Sequence, residues 1–351
     1  MKQIQLASRF TYHFAAGLWR FFVLPLLITA RERLSSIVPA VAGCSFRGAG
    51  AVMCATVLLA SASQVLAPAA NPKPIGMKAV AASAVTLRSV DRAKHYAWLS
   101  KSQVADFVPL SEYIAVPPGF SRVKSCEGGF ASWLRHLPIA PIGTPVTTSN
   151  GKVVYPAEDG RIAVTLALQP RSGRLLAGAN MMIRLRAEYE WSMTERGASL
   201  GFHLTSGHFV AWRPWAAGIR PVIDGRNVTF TGSGQVDDTR ANFCAYLETL
   251  FQYTSSLSLL DDSRPLDEPI LAAGDMFLPP SRCSQPLMVL DIATDREGAV
   301  CVLLGRGGVP AQTFHVLRGA DGSPWFPVMQ GGSISVEGQT YDMSQLRRWA
   351  R

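Results

Sequence analysis

Thiols and imidazoles are the residue types in this chain that could carry nucleophilic chemistry, and Cys283 with His315 is the pair to weigh. A cysteine attacks as its thiolate, so it needs a helix N-terminus or a neighbouring cation to lower its pKa. Cys283 instead follows Pro279-Pro280-Ser281-Arg282, among turn formers and not at a helix N-terminus, so no helix dipole is there to activate it. His203 and His208 flank the turn Thr205-Ser206-Gly207, with no third ligand at zinc spacing, and read as structural histidines. Asp237-Asp238 and Asp261-Asp262 read as a helix cap and a turn rather than as an acid–base pair of carboxylates. Trp212-Arg213-Pro214-Trp215 sets two indoles three residues apart, which either line a groove that stacks on sugars or peptides or fill the core. No metal spacing and no cofactor motif is present, so none is expected.

The remaining thiols divide by context. Cys244 and Cys301 lie in apolar runs and read as buried free thiols. Cys126 and Cys283 lie among turn formers and are the better disulfide candidates, although the four cysteines beyond residue 70 allow three pairings and spacing does not choose.

These residues need elements to position them. Phe130, Trp133, Leu134 and Leu137 fall at i, i+3, i+4 and i+7, the spacing of a short helix. Ile162, Val164, Leu166 and Leu168 alternate strictly, as in a strand with one buried face. A helix is expected over 175–193, capped by Ser172 and ended by Gly197, then a strand over 200–205. Asp224-Gly225 separates two strand-like runs, 219–223 and 227–231, as in a hairpin. Asp237-Asp238 precede a second helix over 240–254 with Phe243, Leu247, Leu250 and Thr254 on one face. After Gly274-Asp275 the chain reads as a meander over 276–278, 287–292, 299–304 and 313–318. Helices early and consecutive short strands late make an α+β domain.

Hydrophobic residues form 48% of the 351-residue chain and charged residues 17%, enough for a sizeable core. The net charge of +9 is concentrated at the start: residues 1–50 hold Lys2, Arg9, Arg20, Arg31, Arg33 and Arg47 against Glu32 alone. The body is only mildly basic, so a nucleic-acid partner is not implied. An apolar run over 21–30 is flanked by arginines. An uncharged stretch over 48–72 ends in small residues suited to signal-peptidase cleavage, Ala60-Ser61-Ala62 or Ala67-Pro68-Ala69. Residues 1–70 therefore read as a targeting region, either a cleaved signal or an uncleaved anchor. Residues 71–115 read as linker and lead-in, and 116–351 as a single α+β domain.

Several short words recur in a telling order: FASWLR at 130–135, RLRAEY at 184–189, Thr205-Ser206-Gly207, Trp212-x-x-Trp215, Gly274-Asp275-x-Phe277, Pro310-Ala311-Gln312, Phe314-His315-Val316-Leu317, Pro324-Trp325 and Leu346-Arg347-Arg348. Their ordered set over roughly 117–348 resembles the uncharacterised bacterial family called domain of unknown function 4846. The layout, a helix packed against an antiparallel β-meander, also resembles papain-like cell-wall hydrolases. In those a helix N-terminus carries the nucleophilic Cys, a strand carries the His, and a third polar residue orients the imidazole. The resemblance places these three roles at Gly178, at Gln285 (with Ser284 before it) and at Arg306. Gly178 has no side chain, Gln285 cannot exchange a proton near neutral pH, and Arg306 cannot accept a hydrogen bond. The targeting region implies an exported envelope protein, periplasmic or anchored in the inner membrane, and the resemblance implies that it carries a catalytically degenerate papain-like domain. It would bind a peptide, a peptidoglycan fragment or another envelope protein in a vestigial cleft lined by Gly178, Gln285, Arg306, Trp212 and Trp215. The alternatives are a working peptide hydrolase with a relocated nucleophile and a purely structural partner subunit.

Overall fold

The computed structural model describes residues 89–168, 178–266, 268, 270–280 and 285–350. The segment expected to be a targeting region (1–70), Ser172, the start of the helix expected over 175–193, Cys283 and Ser284 lie outside the described residues. Among those described, no helix is long and apolar enough to cross a membrane.

The chain opens with helices α1 (Ser89–His95), α2 (Lys101–Ala105) and α3 (Leu110–Tyr113), strand β1 (Ser121–Arg122) and helix α4 (Phe130–Arg135). Strands β2 (Val146–Thr147), β3 (Val153–Tyr155) and β4 (Ile162–Thr165) precede the long helix α5 (Ala179–Met193). Then come β5 (Gly201–His203), β6 (Phe209–Ala211), α6 (Trp212–Ala216), the hairpin β7 (Arg220–Asp224) and β8 (Asn227–Thr231), α7 (Arg240–Tyr253) and α8 (Ser256–Asp261). The last part is β-rich: β9 (Ser263–Pro265), β10 (Met276–Phe277), β11 (Leu287–Thr294), β12 (Val300–Arg306), β13 (His315–Leu317), β14 (Trp325–Pro327), β15 (Ile334–Val336), β16 (Gln339–Tyr341) and β17 (Leu346–Trp349).

The expected α+β class holds, with the late strands in one antiparallel sheet ordered β4-β13-β12-β11-β10-β17-β9. The side strands β1 and β14 pair with β11 and β12. β11 and β12 are buried along almost their whole length, and apolar apart from Asp291, Thr294 and Arg306, because both faces of the sheet are covered. One face packs on α5 and α7 through Met288, Leu290 and Leu303. The other packs under the β15–β16 hairpin through Val289, Val302 and Leu304. A bulge between Val289 and Asp291 reverses the alternation along β11, so Ile292 joins the cluster beneath the hairpin and Asp291 turns toward α4.

Local patterning accounts for most elements. In α4, Trp133 and Leu134 are buried and Leu137 follows into the core. In α7 the expected face of Phe243, Leu247 and Leu250 is buried. The cap of α7, however, is Thr239, whose hydroxyl accepts from the Asn242 amide; Asp237 instead accepts from the Thr239 amide. The β7–β8 loop is Gly225-Arg226, and positive φ at Gly225 alone is the pattern of a type II′ turn. The residues expected as a lead-in do more than link: Tyr96, Phe107, Leu110 and Ile114 are buried in the main core. Cys126 is an exposed free thiol, so the disulfide it was a candidate for is not formed. Cys301 is free and buried, as its apolar run implied, and burial pushes its pKa up to about 12.

Candidate functional site

The positions implied to have lost a catalytic set meet at the end of β12. Gly178 forms the N-cap of α5 in helical conformation, against the loop that leaves β12 after Arg306. A Cβ on Gly178 would run into the carbonyl oxygen of Gly308, and one on Gly307 would lie 2.5 Å from Cβ and Cγ of Met181. Helix and loop therefore meet backbone to backbone, and glycine at 178 is what permits the approach. No thiol fits at 178 in this arrangement.

Arg306 does not line an open cleft. It is buried, and its Nη1 and Nη2 donate to the two carboxylate oxygens of Glu337 at 2.8 and 2.9 Å. Its Nη2 also reaches the Tyr155 hydroxyl at 3.2 Å. Glu337 holds a positive φ of 50° at the β15–β16 turn, so the ion pair pins that hairpin to the sheet. Across the ladder from Arg306 stands His315. Its Nδ1 donates to the Thr313 carbonyl at 2.9 Å, and its Nε2 has no partner among the described residues. Complete burial drives its pKa down to about 3, with Arg306 pushing the same way, so the ring stays neutral. Gln285 joins through its backbone: its carbonyl accepts from the Tyr341 hydroxyl at 3.0 Å. Its side-chain Oε1 is buried and has no partner among the described residues.

Gly178, Gln285 and Arg306 are thus brought to one end of the sheet, but as a packed joint. The two tryptophans are elsewhere, and neither lines a groove. Trp212 is 1% exposed and packs edge-on against Trp191, Phe243 and Tyr246. Trp215 is 5% exposed; its Nε1 donates to Asn242 at 2.9 Å and Arg220 stacks on its ring. An apolar surface this large, adjacent to α7, is worth more inside the core than on a rim.

Three charged clusters escaped the sequence reading. His203 Nδ1 lies 2.6 Å from Asp262, which also accepts from the His203 backbone amide, so Asp262 does more than form a turn. Asp291 accepts from Arg122 Nε at 2.7 Å and from Arg135 Nη2 at 2.6 Å. Asp275, of the Gly274-Asp275 word, takes a two-pronged bond from Arg348 at 2.7 and 2.8 Å. The RLRAEY word is structural in the same way: Glu188 is buried and holds Arg240 at 2.7 and 2.8 Å, and Tyr189 donates to the Gly128 carbonyl at 3.0 Å. Charges inside apolar-looking segments were the available signal, since a charge in such a segment must find a partner. Which partner each would find was not legible.

The architecture defines a mixed α+β domain on an antiparallel sheet with its charged side chains paired into the core. The model of the family described as Domain of unknown function (4846) matches residues 110–348, and the chain belongs to that family. No curated protein and no solved structure matches it.

Proposed function

We propose that this protein is an exported envelope component whose domain is papain-like in layout, has no working catalytic set, and acts by binding rather than by hydrolysis. The observation that carries this reading is the closed joint at the α5 N-terminus, where Gly178 abuts Gly308, Arg306 is neutralised by Glu337, and His315 is sealed and neutral. A thiol nucleophile needs space at the helix end and an imidazole able to take its proton; neither is present at these positions. The same closure argues against a ligand seated in the former cleft, and the buried Trp212 and Trp215 offer no stacking platform there. Binding to a peptide, a cell-wall fragment or an envelope protein therefore belongs on another face. A structural subunit is the second reading, favoured by the way Arg306 and Glu337 bind the hairpin to the sheet. Export rests on the arginine-flanked apolar runs within residues 1–70.

Digestion of peptidoglycan and its stem peptides with the purified protein, followed by mass spectrometry, tests the catalytic half of this proposal. Intact substrate is expected. Fragments that vanish in Cys283→Ala would establish a relocated thiol nucleophile instead, and fragments that persist would establish another chemistry.

A further inference from the structure

The open face between α4, β1 and the Gly274-Asp275 turn differs from the closed joint in one respect: it keeps cationic groups in contact with a cavity. That cavity measures about 310 Å³, within the range of small-ligand sites, which run from roughly 300 to 1,000 Å³. Its floor is apolar, formed by Val123, Phe130, Leu271 and Ile292, with Ala131 and Ala272 beside them. Among the described residues, every charged side chain in its lining is a cation: Lys124, Arg135 and Arg348.

The two arginines are held in a way that presents one edge of each. Arg135 is 9% exposed, and its Nε and Nη2 are spent on Asp291 and on the Val123 carbonyl. Arg348 spends Nε and Nη2 on Asp275 and on the Ile270 carbonyl. Neither Nη1 has a hydrogen-bond partner among the described residues, and neither is sealed from solvent. Buried carboxylates orient each fork, so its free N–H edge is set before any ligand arrives. Asp291 is shared with Arg122, which leaves that corner one positive charge in excess. Gly274 makes the geometry possible, because a Cβ there would lie 2.7 Å from the Phe130 ring. The ring can then close one wall of the cavity.

We propose that this cavity is a binding site for a carboxylate carried on an apolar body, with Arg135 and Arg348 taking the carboxylate and the alanine- and phenylalanine-lined floor taking the apolar part. Arg135 is the stronger anchor, since a nine-tenths-buried guanidinium with an unused N–H edge gains most from an anionic acceptor. Two sources share this chemistry, a free aliphatic or aryl carboxylate and the C-terminus of a peptide chain. The site stands whether or not the closed joint is catalytically dead, so it can fail or hold independently of the proposal above.

Cys126 supplies the readout, because its exposed thiol lies in the cavity lining. The rate of alkylation at Cys126 in the intact protein, followed by peptide mass spectrometry, is measured with octanoate, with acetyl-Ala-Leu bearing a free carboxyl end, and with the neutral amide of each. Saturable protection is expected from at least one acid, with its amide weaker by about tenfold or more, the size of a charge-assisted hydrogen bond. Protection by octanoate alone assigns a small-molecule ligand; protection by the peptide acid assigns a chain terminus. Ala131→Phe, which fills the cavity without touching either ion pair, should abolish protection while leaving the melting temperature close to that of the parent. Arg348→Lys, which keeps the charge and loses the fork, should weaken it. Equal protection by acids and amides, no protection by either acid, or protection that survives Ala131→Phe would each overturn the assignment.

Discussion

Two arginine clusters in this domain have similar ingredients and opposite outcomes. At the end of β12, both terminal nitrogens of Arg306 are consumed by Glu337 and Tyr155, and the neighbouring backbone of Gly308 closes on Gly178. Beside α4, Arg135 and Arg348 are each held through Nε and Nη2, and both side chains line a cavity. The first arrangement welds a hairpin to a sheet. The second presents an oriented cation. What separates them is where the carboxylate sits: Glu337 comes from a surface turn and covers its arginine, whereas Asp291 and Asp275 sit beneath theirs, 1% exposed.

The comparison can be broken most forcefully at the joint. Glu337→Gln leaves the buried Arg306 charge without its counter-ion and should destabilise by about 3–5 kcal/mol. Arg306→Gln should be milder, about 1–3 kcal/mol, because Glu337 can turn to water. Equal losses in urea unfolding would refute the idea that Arg306 is the trapped partner. Next in size, Gly178→Ala should lower stability by about 1–3 kcal/mol through its clash with the Gly308 carbonyl. A neutral result would mean the loop can move aside and that the helix end is open to a side chain.

A smaller, pH-dependent effect belongs to His315. Its folded pKa of about 3 lies below the ordinary value of 6.5, so below pH 6.5 the unfolded chain binds the extra proton. This group's contribution is complete above that value and is lost as pH falls from 6.5 toward 3, at up to about 1.4 kcal/mol per pH unit. Melting curves between pH 7 and 4 should fall less steeply in His315→Gln than in the parent. Parallel curves would place solvent at His315 and reopen the joint. Smallest for stability is Arg348→Lys, which keeps a charge over Asp275 and should cost about 1 kcal/mol or less, consistent with a partly exposed pair. A loss as large as that of Glu337→Gln would show that the cavity arginine, too, is a structural weld.

Much of this protein follows from local pattern. The apolar spacing of Phe130, Trp133 and Leu134, the alternation from Ile162, the turn at Gly225 and the late meander each report elements whose periodicity is written within a few residues. The ordered words likewise led to the family. Other features depend on residues far apart in sequence. Trp212 and Trp215 could stand at a rim or, the favoured reading for at least one of them, in the core; α7 packed beside them puts both in the core. Thr239 and not the preceding aspartates caps α7, because any of three adjacent capping residues satisfies the same local rule. The bulge that aims Asp291 at Arg135, the meeting of Gly178 with Gly308, and the pairing of Arg348 with Asp275 are all long-range events. Sequence by itself determined the more strongly patterned helices and strands and that charges lay within apolar-looking runs. Only the tertiary structure decided which carboxylate meets which guanidinium, and so which arginine is covered and which is left facing a cavity, because burial and partner choice depend on register and packing between distant segments.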